Sequence, residues 1–420
     1  MGIGDRFGCQ GIAQLMAMQK AAEKGIEVAP VWNKSYREHT TIGTEPPSVR
    51  AEADAAVATL DWKRPYFVDA DHVHLKTIDG FLDSSDFFTL DVAEAIGQAA
   101  EAEDIEAFCQ QNSRFVGTLE IPGLDVPFTV SERGIRQIAE KFLFAVKEAG
   151  RIYRHILTHR PADSFVTEVS MDETDIPQSP VEMFFILSAI AAEGIPAQTI
   201  APRFSGRFNK GVDYVGDVAQ FEKEFRADIA VISFAVKTFG LPNNLKLSVH
   251  SGSDKFSIYP PINRAIRELN AGLHLKTAGT TWLEELIGLA LADEEGLAIA
   301  KAIYRQSLDH FDALCTPYAS VIDIDKAKLP APETVDDWDG ERFAAALRHD
   351  LACADYNPYF RQLIHVGYKI AAQMGSRYTD ALKRLSDRIA PHVTDNVYSR
   401  HIVPVFGNYL KIVEPHKHKY

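Results

Sequence analysis

The chain has 420 residues, 46% hydrophobic and 24% charged, which can build a large core without disulfides or a structural metal. Its formal charge of -14 excludes a general binder of phosphate backbones but leaves room for a local basic pocket that takes an anionic metabolite. No apolar run approaches the ~18 residues that cross a bilayer, and the start MGIGDRFGCQ is not a secretion signal. Cys9, Cys109, Cys315 and Cys353 form no CxxC pair, so a soluble cytoplasmic protein with reduced thiols is expected.

Apolar alternation and short apolar runs predict strands over Gly2–Asp5, Glu27–Trp32, Tyr66–Ala70, Phe165–Met171, Ala197–Pro202, Lys246–His250, Leu273–Thr277 and Gln362–Tyr368. Helical patterns at Gly8–Glu23, Pro180–Glu193, Val218–Thr238 and Thr281–Asp293 separate them. Strands alternating with helices in this way predict one TIM-like (β/α)8 barrel over residues 1–420, with active groups at the carboxyl ends of the strands. The spacing is uneven. Residues 74–163 and 308–355 are expected to be helical insertions after the third and seventh strands, the first a cap, with helices at Ala93–Phe108, Ser131–Ile156 and Glu341–Ala354. A doubly wound sheet is the alternative, but no Gly-rich phosphate turn follows any strand. GIGDRFG has no strand before it, and Ser251 beside His250 lacks a nucleophile elbow. The tail EPHKHKY, with His416 and His418, is expected to play no part.

Polar groups gather at the predicted strand ends. The third strand ends in DADHVH, which puts His72 and His74 on one face and turns Asp71 the other way or forward. The fourth runs VTEVSMDETD: Glu168 lies within it, and Asp172, Glu173 and Asp175 crowd its tip, where they repel unless a cation sits among them. After the fifth come Arg203 and a loop carrying Lys210, Asp213 and Asp217, the last also suited to N-cap a helix. The sixth leads into HSGSDKFSIYP with His250, Asp254 and Lys255, an imidazole, a carboxylate and an ammonium that suit a polar ligand or a metal. The seventh puts His274 and Lys276 on one face, the eighth supplies His365, and the second leads into Lys34 and Arg37, which suit an anion. Singly, each group has a bland reading as a solvated turn or a backbone-bonded histidine. Gathered on one rim of a barrel, they point to an active site.

The segments GIGDRFG, DADHV, VSMDETDIPQSP, RFSGRFNKGVDYVGDVAQFEKEF, LSVHSGSDKFSIYP, HLKTAGT and QLIHVGY, in this order, resemble the tagaturonate/fructuronate epimerase family from Gly2 to about Tyr368. Members of that family carry a further segment ahead of the GDR motif. The resemblance implies a metal-dependent epimerase of hexuronate catabolism on a TIM-like barrel, interconverting two keto-uronates. Relatives also act on the neutral ketohexoses fructose and tagatose, and a metal-dependent aldolase is the nearest other chemistry. The epimerised carbon carries a hydroxyl β to the ketone, so its C–H is not acidified by the carbonyl. Retro-aldol cleavage, rotation and re-addition are therefore expected in preference to direct proton exchange. On this reading His72 and His250 hold one divalent metal ion (Zn, Mn, Co or Ni), joined by Asp213 or Asp217. Asp71 is the expected base and Glu173 the expected acid. Lys34, Arg37, Arg203, Asp254, Lys255, Lys276 and His365 are expected to bind the substrate. The expected partners are a small sugar acid and further copies of the chain in a homo-oligomer, with no nucleic acid and no membrane.

Overall fold

The computed structural model describes residues 1–408 except Asp175 and Ala278, so His416 and His418 lie outside the described residues. Eight parallel strands close into a barrel in chain order. They are β1 (Gly2–Ile3), β2 (Val31–Ser35), β3 (Phe67–Val73), β4 (Phe87–Asp91), β5 (Val166–Ser170), β6 (Thr199–Ala201), β7 (Lys246–His250) and β8 (Leu273–Lys276). The ring closes where Gly2 of β1 pairs with Lys276 of β8. With helices packed outside, this is the expected (β/α)8 architecture.

Two elements differ from the sequence reading. Gln362–Tyr368 is not a strand: it lies within the helices Pro358–Val366 and Tyr368–Gln373. The side chain of Asn357 accepts from the N–H groups of Tyr359 and Phe360, and Pro358 occupies the first turn, a strong helix start. Phe360, Leu363 and Ile364 then recur at helical spacing and are fully buried. The missing strand is β4, whose run FFTLD lies inside the segment expected to be a helical insertion. That segment, 74–163, therefore holds a barrel strand as well as the helices Ala102–Asn112 and Glu132–Leu157 and the hairpin of Gly117–Leu119 with Phe128–Val130. Residues 308–355 carry the short helices Phe311–Cys315, Pro332–Asp336 and Gly340–Leu347, and they follow β8.

The period-2 alternation of each strand sorts its side chains. Ala70, Phe88, Leu90, Val169, Ile200, Leu247, Val249 and Leu275 join the apolar layer beneath the helices. The alternate positions carry Asp69, Thr89, Glu168, Thr199, Ser248, His274 and Lys276, which bond to one another across strands. TIM barrels are commonly filled with branched aliphatic side chains; this barrel holds a buried polar network instead. A second apolar cluster joins the helices Gly11–Glu23 and Thr280–Ala292 to the C-terminal helices. No helix among the described residues is long and apolar enough to cross a membrane.

Candidate active site

The centre of the barrel is organised by one ammonium. Lys276 Nζ lies 2.7 Å from Asp71 Oδ1, 2.8 Å from Asp69 Oδ2 and 3.2 Å from Glu168 Oε1, and donates to Thr89 Oγ1 at 2.6 Å. All three carboxylates are buried, where a charge is stable only if paired. Burial raises the Asp71 pKa, but the Lys276 ammonium together with His72 and His250 outweighs it and holds Asp71 below the ordinary carboxylate range. Asp69 is pushed up to about 7 by burial and by the neighbouring acids Asp71 and Glu168, against the pull of Lys276.

Glu168 fixes two histidines. Its Oε2 accepts from His274 Nδ1 at 2.9 Å, and its Oε1 pairs with His250 Nε2 at 2.7 Å. Holding His250 by Nε2 turns Nδ1 toward the carboxyl rim. There Nδ1 lies 3.1 Å from Asp172 Oδ2 without hydrogen-bond alignment, a buried nitrogen with no bonded partner. His72 mirrors this arrangement: Nδ1 bonds Asp91 Oδ2 at 3.1 Å, which leaves Nε2 facing the rim. The backbone of His72 is left-handed (φ 51°), and the β3–β4 register slips between Ala70 and Val73. A bulge of this kind re-aims a side chain, and its strain concentrates at functional sites.

The two rings are 5.2 Å apart at their centroids, and one donor atom each from His72, Asp172 and His250 lies within 4.8 Å of the others. His–metal bonds are ~2.0–2.1 Å and carboxylate–metal bonds similar, so these three groups can hold one ion. The orphaned His250 Nδ1 and the carboxylates behind each imidazole are what such a site requires. Burial lowers the histidine pKa values, but Asp172, Glu168, Asp71 and Asp91 outweigh it. His250 is raised to about 9 and His72 well above its ordinary value.

The third donor of the cluster is Asp172, not Asp213 or Asp217. Asp217 caps the helix Val218–Phe239 through the N–H groups of Ala219 and Gln220. Asp213 accepts from the N–H and Oγ of Ser257 at 3.0–3.1 Å. The expected substrate contacts divide as sharply. Lys34 is buried and bonded to Arg6 O and Thr44 Oγ1. Asp254 is enclosed by Arg361, His349, His401 and Thr280. Lys255 is fully buried against Ser253 Oγ and Asp254 O. His365 is buried on its helix, so tightly that a Cβ at Gly279 would stand 2.3 Å from its Nε2. Lys276 serves the buried acids, as described. Arg203 lines a cleft with Asp172 and His250, and Arg37 and Glu173 are exposed. The sequence reading missed Asp69, Thr89 and Asp91 as parts of this centre; the last two came with the missed strand.

Together these features define a (β/α)8-barrel enzyme with a histidine–carboxylate cluster at its carboxyl rim. The chain belongs to the tagaturonate epimerase family: the UxaE model, described as tagaturonate epimerase, matches residues 1–389. It is 30% identical over 385 residues to the tagaturonate/fructuronate epimerase of Thermotoga maritima, covering 87% of this chain and 72% of that one. The fold is similar to that of fructuronate-tagaturonate epimerase from Cohnella laeviribosi. With one glycerol bound, that structure gives TM-score 0.79 at 24% identity, covering 97% of this chain and 80% of that one. Its native form gives TM-score 0.76 at 23% identity over 97% and 80%. The chain is accordingly an isomerase of the epimerase class.

Proposed function

We propose that this enzyme interconverts tagaturonate and fructuronate by a retro-aldol route at the carbon whose hydroxyl lies β to the ketone, with one divalent ion held by His72, Asp172 and His250. The observation that carries the reading is the convergence of two carboxylate-fixed imidazoles and Asp172 within 4.8 Å on the barrel rim. When bound there, the ion supplies Lewis acidity to the ketone and its enediolate. Asp71, ionised and held by Lys276, takes the proton of the β-hydroxyl as the carbon–carbon bond breaks. Glu173 follows Asp172 on the loop after β5 and is exposed, and it supplies a proton to the new hydroxyl when the bond re-forms. The buried polar network holds Asp71 on β3 and His250 at the end of β7, while Glu173 comes from the loop after β5. Nothing in the route removes the hydrogen on the epimerised carbon. Running the reaction in D2O and reading the products by NMR tests this: no deuterium is expected at that carbon. Deuterium there would replace the retro-aldol route with direct proton transfer.

A further inference from the structure

Three cations that make no ion pair among the described residues converge on one phenol ring. Lys210 Nζ, Lys369 Nζ and the Arg37 guanidinium carbon lie 5.2, 5.0 and 5.7 Å from the centre of Tyr318. A ring has two faces, so at least two of these charges share one. A fourth cation, Arg6, stacks 4.1 Å over Tyr368, whose hydroxyl is 3.2 Å from that of Tyr318. The four come from separate places: the loops after β1 and β6, the helix Tyr36–Ile42 and the helix Tyr368–Gln373. Cation–π attraction accounts for one charge per face, but it does not account for like charges gathered on one ring.

The anions nearby do not balance the group. Glu38 is bonded to Arg6 at 2.9 Å and to its own helix cap at Ser35. Glu173, whose charge acts on both Arg37 and Lys210, makes no ion pair among the described residues. Burial, with Arg6 and Arg37 close by, brings Lys210 down to about 8. Lys210 is nonetheless held in place, its backbone N–H donating to Val321 O at 2.7 Å. Arg37 is exposed, and Lys210 and Lys369 are partly so, which leaves the cluster open to a ligand beside the exposed Glu173. Of the seven substrate-binding candidates in the sequence, only Arg37 and Arg203 keep open side chains, and Lys210 and Lys369 were not among them.

We propose that Lys210, Lys369 and Arg37, arranged around Tyr318, form the subsite that receives the carboxylate of the sugar acid. The assignment rests on the keto-uronate reading above and makes acid-versus-neutral selectivity a property of this cluster.

The test is equilibrium binding by calorimetry of D-tagaturonate and of D-tagatose, which carries CH2OH in place of the carboxylate, to the metal-loaded protein. Wild type, Lys210→Met, Lys369→Met, the Lys210→Met/Lys369→Met double variant, Lys210→Arg and Arg203→Met are compared, with epimerisation followed separately by NMR. Wild type is expected to prefer the acid by about 30-fold or more, as charge-assisted contacts allow. Each Lys→Met variant is expected to lose at least about 5-fold of that preference, the double variant nearly all of it, and Lys210→Arg little. Preference retained in the double variant, lost instead in Arg203→Met, or absent from wild type overturns the subsite. Acid-selective binding that the double variant loses, without epimerisation in wild type, refutes the catalytic reading and leaves the subsite standing.

Discussion

At the scale of single residues, the site is a balance of charges that water would otherwise screen. His250 is raised to about 9 because Asp172 and Glu168 outweigh its burial. A group whose folded pKa exceeds its unfolded value of ~6.5 stabilises the fold below that pH and ceases to do so as pH rises through the folded value. In EDTA, the urea midpoint of the metal-free protein should therefore fall between about pH 6.5 and 9, and His250→Gln should flatten that fall. Asp172→Asn and Asp213→Asn separate the two metal readings: the first should cost metal affinity about 10-fold or more, the second little, as read by competition with a chromophoric chelator. Asp71→Asn and Glu173→Gln should each lower kcat by about 10²-fold or more, the expected loss for a positioned base or acid. Bound metal should stay unchanged in both, because neither belongs to the ligand set.

Elements explain why those residues were only partly visible in the sequence. Alternation in KLSVH, VTEVS and LHLK already assigns Leu247, Val249, Val169 and Leu275 to one face and His250, Glu168, His274 and Lys276 to the other. The structure keeps that division. The tip of VTEVSMDETD announced its need for a cation through crowded carboxylates, and Asp172 of that tip is the acid that joins the histidines. What local pattern could not show was pairing. FFTLD is buried on both faces, and a short apolar run of that kind reads equally as strand or helix. Missing it removed Thr89 and Asp91, so the partner of His72 went unseen. QLIHVGY reads as a strand only if Asn357 and Pro358, just upstream, are ignored as a helix start. Asn357→Ala should cost about 1 kcal/mol of stability through the lost cap, measurable as a shift in urea midpoint with no change in slope. Asp213 and Asp217 stand apart from the cluster because both carboxylates are satisfied by backbone N–H groups, a choice that depends on loop geometry.

For the whole molecule, the question is whether the fold depends on the ion it is built to hold. Two apolar clusters, one on each side of the barrel, bury most of its aliphatic and aromatic side chains, and Lys276 already pairs the acids inside. A chain of 420 residues stabilised in this way does not need one ion to fold, unlike a small zinc domain. Chelation should thus abolish turnover while leaving the far-ultraviolet circular dichroism unchanged. The ion still contributes by mass action: at a free concentration of 100 Kd it stabilises the native state by about 2.7 kcal/mol. With an unfolding entropy of about 2.1 cal/mol/K per residue, that corresponds to a rise in Tm of about 3 °C for a chain this long. His250→Ala should lose both the rise and the turnover. The barrel itself should survive, because the residue removed lies at the rim, above the paired acids and outside both apolar clusters. A His250→Ala protein that still gained about 3 °C on adding metal would place the ion elsewhere and leave His72, Asp172 and His250 as an acid–base cluster alone.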